Sequence, residues 1–123
     1  MANIKQVVVR GIRGATTAAS NTAEDIISVT GELLQEMLRE NGVDIRDIAG
    51  VLLSATPDLN QAFPAKAARR LGWLDVPLFC HVEIDVPDSL VLCIRVLMFV
   101  NTEQDQNQIK HVYLNGTAIL REQ

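Results

Sequence analysis

An almost unbroken apolar run, LVLCIRVLMFV at residues 90–100, constrains the fold of this chain more than any other segment. The run is too short to span a bilayer as a helix, and it contains Arg95. Apolar residues on both of its faces instead predict a central β-strand that is covered on both sides. A chain of 123 residues built around such a strand is expected to form a single domain, residues 1–123.

Composition and charge exclude several classes of partner. Hydrophobic residues make up 48% of the chain and charged residues 21%, which is typical of a globular protein. A net charge of −4 argues against a surface for nucleic acid or for an anionic membrane, and an aromatic content of 4% is too low for base stacking. The N-terminus MANIKQVVV lacks the features of a signal peptide, so a cytoplasmic location is expected.

The remaining patterns predict an α+β fold, or an α/β sandwich, in which helices pack on a mixed sheet. Besides the strand at 91–100, β-branched and apolar runs predict strands at 5–12, 49–56 and 76–85. Residues 111–120 are expected to form a tight hairpin around Asn115-Gly116 or one bent strand.

Two helices are expected between these strands. Apolar residues at helical spacing predict the first at 20–42, with Asn21 or Thr22 as N-cap and Gly42 after its last turn. The second is a short helix within 63–72, with Pro64 near its first position and Gly72 beyond its end. The polar stretch at 103–110 is long enough for one helical turn.

Arg13 and Arg95 place fixed positive charge at or inside predicted strands. An arginine cannot lose its proton there, so it requires an acidic partner or an anionic ligand. One interpretation is a structural ion pair with Glu83 or Asp85. The other is an anion site, because the planar guanidinium binds a carboxylate through two parallel hydrogen bonds.

The predicted helix at 63–72 carries a second group of basic residues. Lys66, Arg69 and Arg70 are spaced so that they share roughly one side of it. Alone, such a group is more often a solvated face, but a local positive patch is less expected in an acidic protein. Phe63, just before the helix, is either a core residue or the wall of a pocket.

The other reactive side chains give weaker signals. Cys80 and Cys93 show neither metal-ligand nor disulfide spacing, and packing is the favoured role of Cys80 over nucleophilic catalysis. His81 and His111 have no ligand spacing, so no metal site is expected. Ser54 is outside any G-x-S-x-G motif.

Together, the arginines, one acid (Glu83) and one phenol (Tyr113) would suit a small polyanion. A site of that kind acts by fixed electrostatics more plausibly than by covalent chemistry.

Four motifs carry a resemblance to a known family: RGIRGATT, LLSATPDLNQAFPAKAAR, CIRVLMFV and IKHVYLNGTAILR. They closely resemble the monofunctional, AroH-class chorismate mutases, over nearly the whole chain from about Val9 to Arg121. The resemblance implies a homotrimer that forms a pseudo-α/β barrel, with active sites between subunits and no cofactor. It also implies the Claisen rearrangement of chorismate to prephenate in phenylalanine and tyrosine biosynthesis, a reaction in which no proton need move.

The resemblance implies a role for each matching residue. Arg95 would donate to the ether oxygen and a carboxylate, and Glu83 would accept from the ring hydroxyl. Arg13 and Tyr113 would hold the enolpyruvyl carboxylate. The wall and mouth of the cleft would be formed by Phe63, Ala65, Lys66, Arg69, Leu78, Phe79, Cys80, Leu120 and Arg121.

Two departures from the family pattern and one strand geometry add further expectations. Phe79 occupies a position where a small polar residue is expected, and the tail after Arg121 is shorter than expected, which would reduce any lid. Cys80 and Glu83 point to opposite faces of a straight strand, so we predict that they serve two different sites.

Two other functions remain as alternatives at this point. One is a trimeric imine deaminase of the Rid type, and the other is a non-catalytic trimer that binds small anions.

Overall fold

One mixed sheet of five strands organises the computed structural model, which describes residues 6–122. Its strands are β1 (Val8–Thr17), β2 (Ile48–Ala55), β3 (Leu78–Val82), β4 (Cys93–Thr102) and β5 (Val112–Tyr113). They lie in the order β3-β2-β4-β1-β5, with β4 antiparallel to both of its neighbours and both edge strands parallel to theirs. The predicted α+β class and the central place of β4 are therefore confirmed.

The two predicted helices form close to their predicted positions, as α1 (Ala23–Asn41) and α2 (Ala65–Arg70). Three short 3₁₀ helices accompany them, Ile45–Asp47, Gln106–Gln108 and Asn115–Glu122. At the start of α1, the Thr22 hydroxyl accepts a hydrogen bond from the Asp25 backbone N–H at 3.2 Å. At its end, Gly42 adopts the left-handed conformation with φ 58°. No helix among the described residues is both long enough and apolar enough to cross a bilayer.

The main core lies between the sheet and α1. Leu33, Leu34 and Met37 of α1 are fully buried in the same apolar cluster as Ile12 and Met98 of the sheet. At Gly14 of β1, an added Cβ would collide with the Met37 sulfur and approach Leu33 Cδ1 to 3.1 Å. Gly14 is therefore the residue that lets α1 pack directly on β1.

The opposite side of the sheet, which we call the open face, has no helix packed on its centre within the described residues. On β4, Ile94, Val96 and Met98 are buried toward the helices, whereas Arg95 is exposed on the open face and Leu97 and Phe99 are only half-buried there. The expectation that β4 is covered on both sides is thus wrong for a single chain, because α1 and α2 pack on one face only.

Two predicted segments differ from the structure. The first strand runs to residue 17 rather than 12, because β4 continues to pair with β1 through Arg13 and Gly14 and beyond. Residue 5, where this strand was expected to begin, and the extreme ends of the predicted domain 1–123 lie outside the described residues. The expected hairpin or bent strand at 111–120 is wrong, because only Val112–Tyr113 forms a strand there. Asn115 is left-handed (φ 53°) and its amide donates to Thr16 Oγ1 at 2.8 Å, which turns the chain into a 3₁₀ helix.

Candidate active site

A cavity of about 400 Å³ opens on the open face, and we call it the arginine cleft. Five residues predicted to be functional line it: Arg13, Glu83, Arg95, Tyr113 and Leu120. The four predicted catalytic residues thus lie in one cavity, although they are far apart in the sequence. Arg121 joins them by placing its guanidinium carbon 5.3 Å from the centre of the Tyr113 ring.

Sheet register explains how these side chains meet. Ser54 of β2 and Ala15 of β1 both pair with Arg95 of β4, and Ala15 also pairs with Tyr113 of β5. Paired residues project from the same face of a sheet, so Arg95 and Tyr113 flank the small side chain of Ala15. Arg13 lies two residues earlier on β1 and projects from the same face.

The acid of the cleft is held by two partners. Glu83 accepts a hydrogen bond from Ser54 Oγ at 2.6 Å through Oε2, and its Oε1 lies 3.5 Å from Arg95 Nη1. The structural ion pair considered from the sequence is therefore present, with Glu83 rather than Asp85. The Arg95 side chain is nevertheless 47% exposed, and within the described residues Glu83 is its only hydrogen-bond partner. The remaining guanidinium donors of Arg95, which lines the cleft, have no acceptor among the described residues.

A hydrogen bond to the backbone of Arg13 holds this residue in place. Its N–H donates to Nδ1 of His111 at 2.9 Å, while the described side chains place no ion-pair partner on its guanidinium. Burial lowers the pKa of His111, and the positive charge of Arg13 lowers it further. The imidazole is therefore neutral at neutral pH and can accept this hydrogen bond.

A second cavity of about 650 Å³, the Cys80 cleft, lies at the β3 end of the sheet. Phe63, Lys66 and Cys80 line it, and His81 borders both clefts. Phe63 is 75% exposed, so its ring is a wall and not a core residue. Burial raises the pKa of the Cys80 thiol, which disfavours a thiolate nucleophile at neutral pH.

Comparisons with known proteins all point to one family. The family model described as chorismate mutase type I matches residues 9–123. The chain is 49% identical over 116 residues to chorismate mutase AroH of Bacillus subtilis (94% of this chain and 91% of that protein), and 46% identical over 115 residues to that of Thermus thermophilus (93% and 94%). A solved chorismate mutase from Clostridium thermocellum superposes with a TM-score of 0.88 at 52% identity, covering 89% of this chain and 97% of that one.

The chain belongs to the type I chorismate mutase family. The resemblance seen in the sequence motifs is confirmed, and with it the class of enzyme, an isomerase. The comparisons favour neither the Rid-type imine deaminase nor the non-catalytic anion-binding trimer.

The predicted site residues lie in three places in the structure. One set lies in or against the arginine cleft, and a second lines the Cys80 cleft. The remainder lies outside both cavities: Ala65, Arg69, Leu78 and Phe79. Ala65 and Leu78 pack against the core, Arg69 is exposed on α2, and the Phe79 ring lies 5.9 Å from that of His81.

Sequence reasoning did not assign two residues that contact the predicted site residues. Ser54 binds Glu83, and it is the one hydroxyl in the otherwise apolar β2, a signal that could have marked it. His111 binds the Arg13 backbone, a contact that depends on where the chain returns after residues 106–108 and that leaves no trace in the local pattern.

Proposed function

We propose that this chorismate mutase rearranges chorismate to prephenate in the arginine cleft, by electrostatic stabilisation and selection of a folded substrate conformer. Charge complementarity is the observation that carries the proposal. Arg13 and Arg95 line the cleft and Arg121 lies against its Tyr113 ring, whereas Glu83 is the one carboxylate among the lining residues. The cleft is therefore positive in a protein whose net charge is −4, and chorismate is a dianion.

Arg95 acts on the bond that breaks. In a Claisen rearrangement the ether C–O bond breaks as a new C–C bond forms, and negative charge grows on the ether oxygen in the transition state. A guanidinium donor fixed near that oxygen strengthens its interaction as the charge grows, so it favours the transition state over bound substrate. Arg95 projects from the central strand, and Glu83 restrains one of its nitrogens at 3.5 Å.

The other groups hold the substrate in a chair-like conformation in which the two carbons are within reach. Arg13 and Tyr113 bind the enolpyruvyl carboxylate, and Arg121 adds charge beside the Tyr113 ring. Glu83 accepts from the ring hydroxyl, with its carboxylate oriented by Ser54 at 2.6 Å. No step moves a proton to or from the protein, so the site requires no acid–base pair.

Assembly of a homotrimer completes the site in this proposal. The open face exposes apolar side chains, including Val9 (54%) and Phe79 (64%), and a patch of that kind is typical of an interface. The arginine cleft of one copy would meet the Cys80 cleft of a second, so that Phe63, Lys66 and the Cys80 backbone close over the substrate. Glu83 and Cys80 then serve two different sites, and Lys66 and Arg69 attract the dianion. A cytoplasmic location stays a prediction.

Loss of the ultraviolet absorbance of chorismate on addition of the protein tests this function directly. We expect turnover by the unmodified protein and a loss of at least about 10²–10³-fold in kcat for Arg95→Ala, the usual effect of removing one preorganised donor. Arg70→Ala is the matched control, since Arg70 is an exposed α2 arginine that lines neither cleft. Absence of turnover, combined with hydrolysis of an imine substrate, would instead support the Rid-type alternative.

A further inference from the structure

The outer edge of β1 is completed by side chains where no strand lies beside it. β5 pairs only with Gly14 and Ala15, so the preceding part of β1 has no strand on that side within the described residues. The Gln106 amide fills one gap, accepting from the Gly11 N–H at 3.0 Å and donating to the Gly11 carbonyl at 2.8 Å. His111 fills the next, because its Nδ1 accepts from the Arg13 N–H at 2.9 Å.

The imidazole that holds Arg13 is itself anchored to α1. Asn41, the last residue of α1, is 6% exposed. Its side chain hydrogen-bonds to both the backbone N–H and the backbone carbonyl of Lys110, the residue before His111. The Lys110 N–H donates to Asn41 Oδ1 at 2.7 Å, and Asn41 Nδ2 donates to the Lys110 carbonyl at 2.9 Å and to the Met37 carbonyl at 2.9 Å. The end of a core helix thereby fixes where His111 meets β1.

We propose that His111 is a positioning residue for Arg13, and that it acts as a neutral imidazole with its proton on Nε2. It keeps the backbone of Arg13 at a fixed place on the strand edge, so the guanidinium starts from a fixed point when it reaches the substrate carboxylate. This inference rests on the proposed function, in which Arg13 binds that carboxylate.

The chemistry of the contact requires one protonation state. Only an unprotonated ring nitrogen can accept a hydrogen bond from a backbone N–H. Nδ1 must therefore carry no proton, and the proton of the neutral ring must be on Nε2. The charged group that acts on this ring is Arg13 on β1, whose repulsion adds to the effect of burial in keeping the imidazole neutral. Arg13 thus favours the form of His111 that holds it.

Two substitutions of His111 test the proposal. His111→Leu removes the acceptor, whereas His111→Asn keeps an oxygen acceptor near the position of Nδ1 and cannot be protonated there. Because Arg13 binds the carboxylate in substrate and transition state alike, we expect His111→Leu to raise KM for chorismate by about 10-fold, roughly the effect of one lost hydrogen bond, with little change in kcat. His111→Asn is expected to restore KM to within about 2-fold of the unmodified protein.

A double-mutant cycle with Arg13→Ala separates positioning from general stability. Once the guanidinium is absent, adding His111→Leu should change kcat/KM by no more than about 2-fold, because the contact has nothing left to position. A purely structural role would give the same loss in both backgrounds, and that result, or an Asn variant as impaired as the Leu variant, would overturn the proposal. ¹⁵N NMR of the imidazole offers a test without mutation: the Nε2–H tautomer is expected, and an Nδ1–H tautomer would contradict it.

The same cycle separates this inference from the proposed function. If Arg13→Ala leaves kcat/KM unchanged, the role of Arg13 in substrate binding is wrong, and the inference falls with it. If Arg13→Ala impairs kcat/KM while His111→Leu does not, the proposed function stands and only the positioning role is refuted.

Discussion

At the scale of single residues, the role that we propose for Arg95 is chemical rather than structural. Its side chain is 47% exposed and lies 3.5 Å from Glu83, an ion pair whose contribution to stability is small in such an exposed setting. The open face otherwise carries apolar groups, and a charged arginine among them adds little to the stability of the sheet. In the proposed mechanism, its place on the central strand matters because a rigid strand fixes the position from which the guanidinium reaches the substrate.

The sharpest test at this scale is Arg95→Lys. A lysine keeps the charge but replaces a planar fork with a point charge, so it cannot bind the ether oxygen and a carboxylate together. We expect kcat to fall by about 10²–10³-fold while the melting temperature stays close to that of the unmodified protein. Steady-state kinetics and thermal melting measure both effects, with Arg70→Lys as the control. A lysine variant with near-normal kcat would refute the mechanism.

The residues predicted from sequence are those whose chemistry is out of place in their surroundings. Arg13, Arg95 and Glu83 stand beside strand-forming apolar residues, and that contrast alone marks them as candidates. His111 is an ordinary polar residue locally, and it gains a role only from its contact with β1. Ser54 stands out as the one hydroxyl of β2, but its contact with Glu83 depends on where the chain lies after β3. The family resemblance supplied the individual roles, which composition and spacing do not provide.

At the scale of elements, the return of the chain from Gln106 to Tyr113 joins α1 to the cleft. Gln106 and His111 complete the edge of β1, Asn41 anchors Lys110, and Tyr113 enters the arginine cleft. The sequence predicted a helical turn here, which is confirmed at 106–108, but not these side-chain contacts with β1. The failed hairpin has the same origin, because the Asn115 amide bonds to Thr16 of β1.

This element makes stability depend on pH. The pKa of His111 is lowered in the folded chain, so the unfolded chain binds more protons between that lowered pKa and the usual value near 6.5. Stability is therefore present in full above that usual value and falls as the pH drops below it.

Urea unfolding at a series of pH values between neutral and mildly acidic measures this dependence. We expect His111→Asn to lose part of the acid-side decrease, and His81→Asn, in β3, serves as the comparison. An identical pH dependence in the unmodified protein and the His111→Asn variant would show that His111 does not titrate as described.

At the scale of the whole molecule, the open face is the part of the sheet that a single chain leaves uncovered. Its centre carries Leu97 and Phe99 half-buried on β4, and Val9 is 54% exposed on β1. The sequence predicted that both faces of β4 are covered, but a single chain covers only one of them. In the proposed homotrimer, association of copies would provide the missing cover and would bring the two clefts together.

An acidic substitution on the open face tests the assembly. Phe99→Asp, or Val9→Asp at a more exposed position, would bury an unpaired charge between copies, so we expect a smaller assembly and loss of chorismate turnover. Light scattering coupled to size exclusion should give three chains for the unmodified protein. Ile45→Asp is the control, since Ile45 is 41% exposed between α1 and β2, away from the open face. A three-chain assembly that persists in both open-face variants would contradict the interface.

A crystal structure with prephenate bound is the decisive test of the proposed site. We expect density for the product in the arginine cleft, with its carboxylates against the guanidinium groups of Arg13 and Arg95, and with the Cys80 cleft of a second copy closing over it. Density for the product at a site remote from both arginines would contradict the account.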